Sequence, residues 1–384
     1  MKTIRRKYQP HPDIELKYER SDVTAFITIP DQIDKNTGVF IVVNDLNEKG
    51  SDDFKKDELA PYLCEGLNCI VLFVNYFGYL RGERIVFTES FLNNLNRIYD
   101  LSITEEHINH FESDRDVFSF IADSIVQKHI SSLDIRCQPI LKTGNNEYQS
   151  WGFLPAVDNL TVLGQVMSEF EINPRRIFAY GKNYGGYVAL LMGKYAPNTF
   201  SAIIERNSYV KSSLQHIVSG EVMEPDSEIR LNITGYGHDF TISCAADNPW
   251  TIEDENSPYF FSDSHRLIRN LLVEKHRIKS QTQYFSFHST ENPYSNISEK
   301  EGMVKLLSET NGIEYRRLKE NEFHMDDKEF LQSFFQDHAD ESLNVKKTET
   351  DFQSGTHLEF ITSDKVYNFN YSKNGTLAIK LLGR

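Results

Sequence analysis

Residues 177–197 read IFAYGKNYGGYVALLMGKYAP, a stretch that decides the fold of the chain. A short apolar run typical of a buried strand leads through a glycine-rich turn into a segment with helical spacing. In this turn Gly181 and Gly185 flank Asn183, so the pattern is Gly-x-Ser-x-Gly with asparagine in the place of the serine. A carboxamide cannot be deprotonated to an attacking alkoxide. The turn therefore predicts a protein that has lost a serine nucleophile or that uses the same geometry for another purpose.

The middle of such a turn makes mechanical demands that Asn183 meets. The flanking glycines let the chain turn sharply, and asparagine tolerates a positive φ better than most residues. The N–H of Tyr184 then faces the position of an oxyanion, and the start of a helix adds the positive end of its dipole. The loop NDLNEKG is expected to supply a second donor, the N–H of Leu46 or of Asn47. The alternative is a tight strand-to-helix turn that binds nothing.

Further short apolar runs, separated by helical segments, surround the turn. Such runs are typical of strands buried on both faces of a mostly parallel sheet. The predicted strands are 23–29 (an antiparallel edge strand), 38–43, 69–75, 175–180, 201–205, 282–288 and 313–318, and the predicted helices are 184–196, 297–310 and 326–338. Strands that alternate with helices indicate the α/β class with a doubly wound sheet.

Three regions depart from this alternation. Residues 80–150 are polar and helix-prone, and we expect them to form a mobile cap inserted into the fold. Residues 212–280 mix Gly, Asp, Pro and Ser and predict long loops with short helices. The C-terminal segment alternates apolar and polar residues around an Asn-Gly turn, which predicts a small antiparallel β appendage. The expected organisation is a main domain over 1–345 and the appendage over 350–384.

The composition excludes several classes of function. The chain has 384 residues and a net charge of −15, and so acidic a protein repels phosphate backbones, so we expect no nucleic acid partner. The N-terminus lacks the apolar core of a signal peptide, and no stretch has the length and apolarity of a membrane span. The four cysteines form no Cys-x-x-Cys pair. We expect a cytoplasmic protein with no membrane association, no metal and no cofactor.

The turn and its continuation resemble the α/β-hydrolase superfamily. GKNYGGYVALLMGKYAPNTFSAII is similar to the elbows of prolyl-oligopeptidase-type enzymes, which read Gly-x-Ser-Tyr-Gly-Gly-Tyr. Together with SPYFFSDSHRLIRNLL and YFSFHSTENPYSNISEKEGMVKLL it also resembles a bacterial family catalogued as domain of unknown function 2920, over roughly residues 20–340. The resemblance implies an α/β-hydrolase fold with a helical cap, and a carbohydrate or acyl-group context.

The superfamily's chain order of nucleophile, acid and histidine implies where the other catalytic groups lie. The acid is expected after the strand TQYFSFH, where Glu291 and Asn292 both stay open as candidates. The histidine is expected after the strand IEYRRL, which points to His324; an ordinary surface or helix-capping histidine is the alternative. The resemblance also implies that Tyr76 serves the oxyanion hole, and the alternative for Tyr76 is a core aromatic.

Three functions follow from these patterns. The first is a degenerate hydrolase, a pseudoenzyme that binds a small acyl or glycan ligand without serine catalysis, with a protein partner or as a homo-oligomer. The second is an active esterase, deacylase or acyltransferase with rearranged catalytic residues, in a context of surface-glycan modification. Tyr184, Ser208 and Tyr187 are its candidate hydroxyls, and a structural role is the simpler interpretation of each. The third is a non-catalytic interaction module. His107 and His110 have metal-like spacing, but a solvated helix face is the simpler interpretation.

Overall fold

We describe the fold from a computed structural model of the chain. The structure describes residues 1–384 except 53, 81–83, 129–132, 136–139, 143–146, 219, 223–226, 234–237, 291, 293–294, 320–321, 323 and 339–348. The chain forms two compact units. The first consists of Met1–Tyr79, Ser150–Ser212 and Phe261–Arg384, and the second consists of Leu80–Gln149 and Ser213–Phe260.

A mostly parallel sheet forms the centre of the first unit. Its eight strands, in spatial order, are β1 (Lys2–Tyr8), β2 (Val23–Ile29), β4 (Cys69–Asn75), β3 (Gly38–Val43), β8 (Ile177–Lys182), β9 (Ala202–Arg206), β12 (Gln283–His288) and β13 (Gly312–Arg317). Within this sheet β2 runs antiparallel to both of its neighbours, and the remaining neighbours are parallel. This arrangement confirms the predicted α/β-hydrolase fold.

The edge of the sheet differs from the prediction. Residues 23–29 were predicted as an edge strand, but β1 pairs along the whole of β2, so β2 has a neighbour on each side. The sequence of β1, KTIRRKY, has four basic residues, and most of its side chains are exposed or half-buried. Because an edge strand of this kind has no apolar run, the hydrophobic pattern could not reveal it.

The first unit also contains helices, several of which pack on its large sheet. They are α1 (Ala60–Leu67, preceded by a π-helical segment at Phe54–Leu59), α5 (Phe153–Glu169), α6 (Asn183–Tyr195), α7 (Asp263–Arg269), α8 (Ile297–Ser308) and the helices Asp327–Asp337 and Asp351–Ser354. The sequence did not predict α5, because twelve of its 17 residues are buried and it lacks the polar face that marks an amphipathic helix. Among the described helices, none combines the length and the apolar character needed to cross a membrane.

The C-terminal residues form the predicted small antiparallel sheet. Its three strands are β14 (His357–Ile361), β15 (Lys365–Tyr371) and β16 (Leu377–Gly383). The sheet is part of the first unit: Phe369 stacks on Tyr195 with ring centroids 5.0 Å apart, and the hydroxyl of Tyr371 donates to the carbonyl oxygen of Tyr195 at 2.9 Å. Aromatic side chains therefore attach the sheet to the end of α6.

A buried ion pair joins the C-terminal sheet to the N-terminal segment and α7. The carboxylate of Glu15 accepts hydrogen bonds from both terminal nitrogens of Arg269, from Nη1 at 2.8 Å, and both side chains are fully buried. The hydroxyl of Tyr367 in β15 donates to the same carboxylate at 2.8 Å. Three segments distant in sequence thus meet at one carboxylate.

The second unit contains its own sheet and helices. Its elements are β5 (Arg84–Val86), α2 (Glu89–Tyr99), α3 (Glu105–Asn109), α4 (Asp114–Val126), β6 (Leu133–Ile135), β7 (Ile140–Lys142), β10 (Ser227–Ile233) and β11 (His238–Ala246). The prediction of long loops with short helices for 212–280 was wrong for 227–233 and 238–246, because β10 and β11 pair antiparallel there and β11 also pairs with β6 and β7. The predicted short helices do occur in this range, at Leu214–His216, Asp263–Arg269 and Glu274–His276. Local patterns do not reveal pairing over about a hundred residues. That this unit caps the predicted site stays a prediction.

We predict that Glu15→Gln lowers the free energy of unfolding by about 3–4 kcal/mol, because it leaves the Arg269 guanidinium buried without its counter-charge. Urea denaturation of the full chain, followed by far-UV circular dichroism, measures this loss. The matched control is Glu19→Gln, the same change at an exposed position, which should stay within about 0.5 kcal/mol of the wild type. Equal midpoints for the two variants would show that the ion pair does not hold the segments together.

Candidate functional site

The turn between β8 and α6 has the sharp geometry that its glycines predicted. Asn183 lies in the left-handed region with φ 46°, directly after Lys182. A Cβ on Gly181 would lie 2.4 Å from the carbonyl oxygen of Gly185, and a Cβ on Gly185 would lie 2.5 Å from the carbonyl oxygen of Val43. Only glycine allows these approaches, so the first turn of α6 packs directly against the end of β3.

The carboxylate of Asp45, in the loop after β3, lies at this turn. Its Oδ1 accepts the N–H of Leu46 at 2.9 Å and the N–H of Tyr184 at 3.2 Å. Its Oδ2 accepts Nδ2 of Asn183 at 2.8 Å. The two N–H groups that the sequence assigned to an oxyanion therefore converge on one oxygen atom, and that atom belongs to the chain itself.

The sequence analysis predicts only main-chain donors in the loop NDLNEKG and assigns no role to the side chain of Asp45. A signal was present, because Asn44 and Asp45 are polar residues directly after the buried run of β3. In a parallel sheet such residues lie at the carboxyl edge, where ligand sites form.

The surroundings of Asp45 disfavour its charge. Burial of the carboxyl, with a smaller contribution from the nearby Glu48, raises the pKa of Asp45 to about 6 against the lowering effect of the hydrogen bond from Asn183. The hydrogen bond from the Leu46 N–H and the charge of Lys182 act in the opposite direction. Asp45 is consequently a carboxyl group that changes charge near neutral pH rather than in acid.

Alternating charges continue along the same edge of the sheet. Glu48 pairs with Lys55 at 2.8 Å and with Lys182 at 3.1 Å. Lys182 also pairs with Asp327 at 3.2 Å, and Asp327 pairs with Arg206 at 3.0 Å. These five side chains connect the ends of β3, β8 and β9 with the start of the helix Asp327–Asp337.

The charges in this network stabilise one another. Burial raises the pKa of Glu48, but Lys55 and Lys182 outweigh it and bring the pKa down to about 2. Burial lowers the pKa of Lys182, but Asp327 and Glu48 outweigh it and leave the pKa above its ordinary value. Both groups are therefore charged at neutral pH, whereas Asp45 beside them titrates.

Three other residues predicted for the oxyanion site have different contacts. The N–H of Asn47 donates to the carbonyl oxygen of Tyr79 at 2.7 Å, whereas the N–H of Leu46, the other alternative, donates to Asp45; that either N–H serves an oxyanion stays a prediction. Tyr76 is fully buried and its hydroxyl donates to the carbonyl oxygen of Asn44 at 2.8 Å, the behaviour of a core aromatic. The side chain of Tyr184 is also buried, and its hydroxyl accepts the N–H of Gly152 at 2.8 Å. Tyr184 thus contributes its main chain.

The predicted histidine lies in a segment that reaches the same edge of the sheet. His324 is exposed. On its C-terminal side, the carbonyl oxygen of Met325 accepts a hydrogen bond from Arg206 at 2.8 Å, and Asp327 pairs with Lys182, the residue before Asn183. These contacts bring the segment toward the turn, and the catalytic position of His324 stays a prediction.

The two candidates for the acid position differ in what can be said of them. Asn292 is buried, and its Nδ2 donates to the carbonyl oxygen of Asn207 at 2.9 Å, so it supports the chain after β9. Glu291 lies outside the described residues. That Glu291 or Asn292 occupies the acid position beside His324 stays a prediction from chain order.

The substitute hydroxyls are used by other contacts. Ser208 is fully buried, and its hydroxyl accepts Nζ of Lys300 at 2.5 Å. The hydroxyl of Tyr187 donates to the carbonyl oxygen of Arg269 at 2.6 Å. His107 takes part in the N-terminal cap of α3 and His110 donates to the carbonyl oxygen of Glu106 at 2.6 Å. Among the described residues, no group of three His, Cys, Asp or Glu side chains is arranged to hold a metal ion.

Solved structures similar to the chain include two esterases and a peptidase. The lipase/esterase from Lactobacillus plantarum has 8% identity and a TM-score of 0.42, over 88% of this chain and 99% of that one. Thermogutta terrifontis esterase 2 phosphoramylated by tabun has 10% identity and a TM-score of 0.41, over 90% and 97%. Pyrococcus horikoshii acylaminoacyl peptidase has 11% identity and a TM-score of 0.46, over 91% of this chain and 42% of the peptidase. Such low identities transfer no activity, substrate or residue role.

At the level of sequence, no curated protein matches the chain. One family model does match, with the description "Protein of unknown function (DUF2920)", over residues 7–370. The matched range extends beyond the 20–340 that the quoted motifs suggested and includes both compact units.

We predict that Asp45→Asn stabilises the protein at pH 8 and has little effect near pH 4. The folded pKa of Asp45 is about 6 against an ordinary value of 3.8. Its favourable contribution is therefore present below pH 3.8 and is lost as the pH rises through 6. At about 1.4 kcal/mol per pKa unit, this loss amounts to at most about 3 kcal/mol. Asparagine has no charge to bury, and both main-chain donors can still bind its oxygen.

Chemical denaturation of the wild type and the variant between pH 4 and pH 8 tests this prediction. The control is Asp22→Asn, which removes the same charge from an exposed side chain. Its free energy of unfolding relative to the wild type should not rise with pH. A stability difference between Asp45→Asn and the wild type that stays constant from pH 4 to pH 8 contradicts the raised pKa.

Proposed function

The chain belongs to the DUF2920 family, and from the geometry of its elbow we propose that it binds a small acyl or glycan ligand there without serine catalysis. The observation that carries this proposal is the position of the Asp45 carboxylate, which accepts hydrogen bonds from the Leu46 N–H, the Tyr184 N–H and Asn183 Nδ2. Three donors that hold one carboxylate form a site for oxygen atoms. A ligand oxygen that displaced Asp45 would meet the same three donors.

The donors are suited to the oxygen atoms of acyl groups. Main-chain N–H groups at the start of a helix favour a carbonyl or carboxylate oxygen, because the helix dipole adds positive potential. A sugar has a second way to bind, since a hydroxyl can donate to the Asp45 carboxylate without displacing it. Both modes use the same atoms, which supports an acyl or glycan ligand over a purely apolar one.

Asn183 supports binding over covalent catalysis. Its Nδ2 donates to Asp45, so the side chain at the nucleophile position acts as a hydrogen-bond donor. The nearby hydroxyl of Ser208 is bound to Lys300 and fully buried, which leaves it poorly placed for attack on a substrate. A protein with these features keeps the oxyanion site of a hydrolase and lacks its nucleophile.

A second candidate function rests on the pKa of Asp45. A carboxyl group that titrates at about 6 is suited to general acid–base catalysis near neutral pH. In that case the protein is an active esterase, deacylase or acyltransferase in which Asp45 moves a proton. The distinguishing result is turnover of an acyl ester by the wild type that depends on Asp45 and falls below pH 6.

We predict that the wild type does not react with a fluorophosphonate probe, which requires an activated serine. Asn183→Ser should react slowly, because the new hydroxyl occupies the elbow while Asp45 still fills the oxyanion position. Asn183→Ser/Asp45→Ala should react faster, since its two N–H donors are open to the phosphoryl oxygen. In-gel fluorescence and peptide mapping measure the rate and the site of labelling.

The control for this experiment is Ser208→Ala in the wild-type background. Labelling of the wild type that disappears in Ser208→Ala shows an active enzyme with a relocated nucleophile and overturns the proposal. If both elbow variants stay folded and neither reacts, the turn is not a hydrolase-type oxyanion site. A role as an interaction module, with a protein partner or a second copy, then becomes the better account.

We also predict that the purified protein retains an acyl- or glycan-type compound, or binds one more readily when Asp45 is shortened. Mass spectrometry of material released by denaturation, compared between the wild type, Asp45→Ala and Asn183→Leu, identifies it. Asp45→Ala should contain more ligand than the wild type, because the competing carboxylate is gone. Asn183→Leu should contain less, because a donor is lost. Equal recovery from all three variants contradicts binding at the elbow.

A further inference from the structure

A cavity at the opposite end of α6 has an unusual balance of charge. It lies between the end of α6, residues 270–278 and α8, opens to solvent, and leaves about 40 Å³ of space for the centres of water-sized groups. Its walls are largely apolar, with Leu190, Leu271 and Met303 among them. Its ionisable lining residues are Lys194, His276, Arg277 and Tyr284, and none of the lining residues is acidic. In a chain with a net charge of −15, a cavity lined by three basic side chains and by no carboxylate needs an explanation.

Arg277 is the centre of this imbalance. Its Nη2 donates to the carbonyl oxygen of Leu271 at 3.2 Å. Its Nε and Nη1 are buried and have no hydrogen-bond partner among the described residues. Burial lowers the pKa of Arg277, against the raising effects of Glu309, Tyr284 and Glu274; the two glutamates are exposed. A guanidinium with unpaired buried N–H groups costs free energy unless an acceptor arrives.

Lys194 adds a second buried basic side chain without a carboxylate partner among the described ion pairs. Its Nζ donates to the carbonyl oxygens of Leu267 at 3.3 Å, Ile268 at 2.6 Å and Asn270 at 3.0 Å. Burial and the charges of Arg277 and Arg269 hold the pKa of Lys194 well below its ordinary value. Arg269 is paired with Glu15, whereas no carboxylate is paired with Lys194 among the described ion pairs.

His276 and Tyr284 do not supply the missing negative charge. Nε2 of His276 donates to the carbonyl oxygen of Ile361 at 2.8 Å, and burial and Lys194 lower the pKa of His276 to about 4, so the ring is neutral at pH 7. Burial raises the pKa of Tyr284, so its hydroxyl is neutral as well. The cavity therefore keeps an excess of positive charge that its own residues do not balance.

We propose that this cavity is a binding site for a small amphipathic anion, a carboxylate on a short apolar chain. The carboxylate would accept hydrogen bonds from the unpaired N–H groups of Arg277 and lie in the field of Lys194. The apolar chain would lie against Leu190, Leu271 and Met303. Arginine is the side chain best suited to hold a carboxylate in a partly buried position, because it stays charged there and has donors to spare.

This site is distinct from the elbow. Lys194 and Asn183 lie eleven residues apart on the same helix. At 1.5 Å per residue this separation is about 16 Å. Tyr284 lies at the start of β12, whereas the elbow follows the end of β8. The two sites therefore lie at opposite ends of the parallel strands. A variant at one site does not change the other site, so the two binding proposals can be tested separately.

Isothermal titration calorimetry of the full chain with sodium hexanoate, at ionic strength matched with sodium chloride, tests the proposal. Hexanoate should bind saturably, whereas hexan-1-ol, which lacks the charge, and inorganic phosphate, which lacks the apolar chain, should bind more weakly. Arg277→Met should raise the dissociation constant for hexanoate by about tenfold or more. The control Lys279→Met makes the same change of charge at an exposed position of the same segment and should leave the constant unchanged.

Hydrogen exchange of the wild type locates the site without any variant. Hexanoate should slow exchange in residues 270–278, whether or not it also slows exchange at the elbow residues 44–48 and 183–187, where the proposed acyl ligand binds. This measurement also covers the case in which Arg277→Met fails to fold. The proposal is overturned if hexanoate does not bind or if Arg277→Met binds it as tightly as the wild type. Equal binding of hexan-1-ol, or protection at the elbow alone, overturns it as well.

Discussion

The hydrogen bonds to the Asp45 carboxylate join the parts of the molecule on which its function depends. The first turn of α6 packs against the end of β3 because Gly185 allows its main chain to approach the carbonyl oxygen of Val43. Only this close approach lets a side chain after β3 reach the N–H of Tyr184 at the start of the helix. The N–H groups of a helix start have no partner within the helix, so the carboxylate satisfies a donor that would otherwise be left open. It also orients Asn183 by accepting its Nδ2.

The surrounding charges explain why Asp45 titrates near neutral pH, whereas the neighbouring Glu48 stays ionised. Glu48 and Asp327 each have cationic partners within about 3 Å, and Lys182 bridges them. Asp45 is held by dipoles and an amide, which offset the loss of hydration less than a full positive charge does. The same contrast recurs at the other end of α6. Arg269 is neutralised by Glu15, whereas Arg277, eight residues later, forms no ion pair with a carboxylate in the part of the chain that the structure describes.

Much of the fold follows from short-range patterns. The buried strands at 38–43 and 69–75 have the residue bounds that the apolar runs predicted, because strands buried on both faces must be apolar at every position. Elements of other kinds escaped the pattern. β1 is basic and exposed at the sheet edge, α5 is buried on nearly all sides, and β11 obtains its partners from a distant part of the chain. For these three elements, the neighbours and not the local sequence determine the structure.

The sequence by itself determined the elbow: two glycines around Asn183 permit one kind of turn, and an amide at its centre excludes an alkoxide. It also determined that a main-chain donor follows at Tyr184, since the next N–H of such a turn has one direction. Only the tertiary structure decided what that donor binds, because the nearest acceptor, Asp45, is 139 residues away in the chain. It likewise decided that Nε and Nη1 of Arg277 have no acceptor among the described residues, since burial and pairing depend on every segment that packs around a side chain. Local geometry is encoded in neighbouring residues, but the balance of charge at a site is set by residues that meet only in the folded chain.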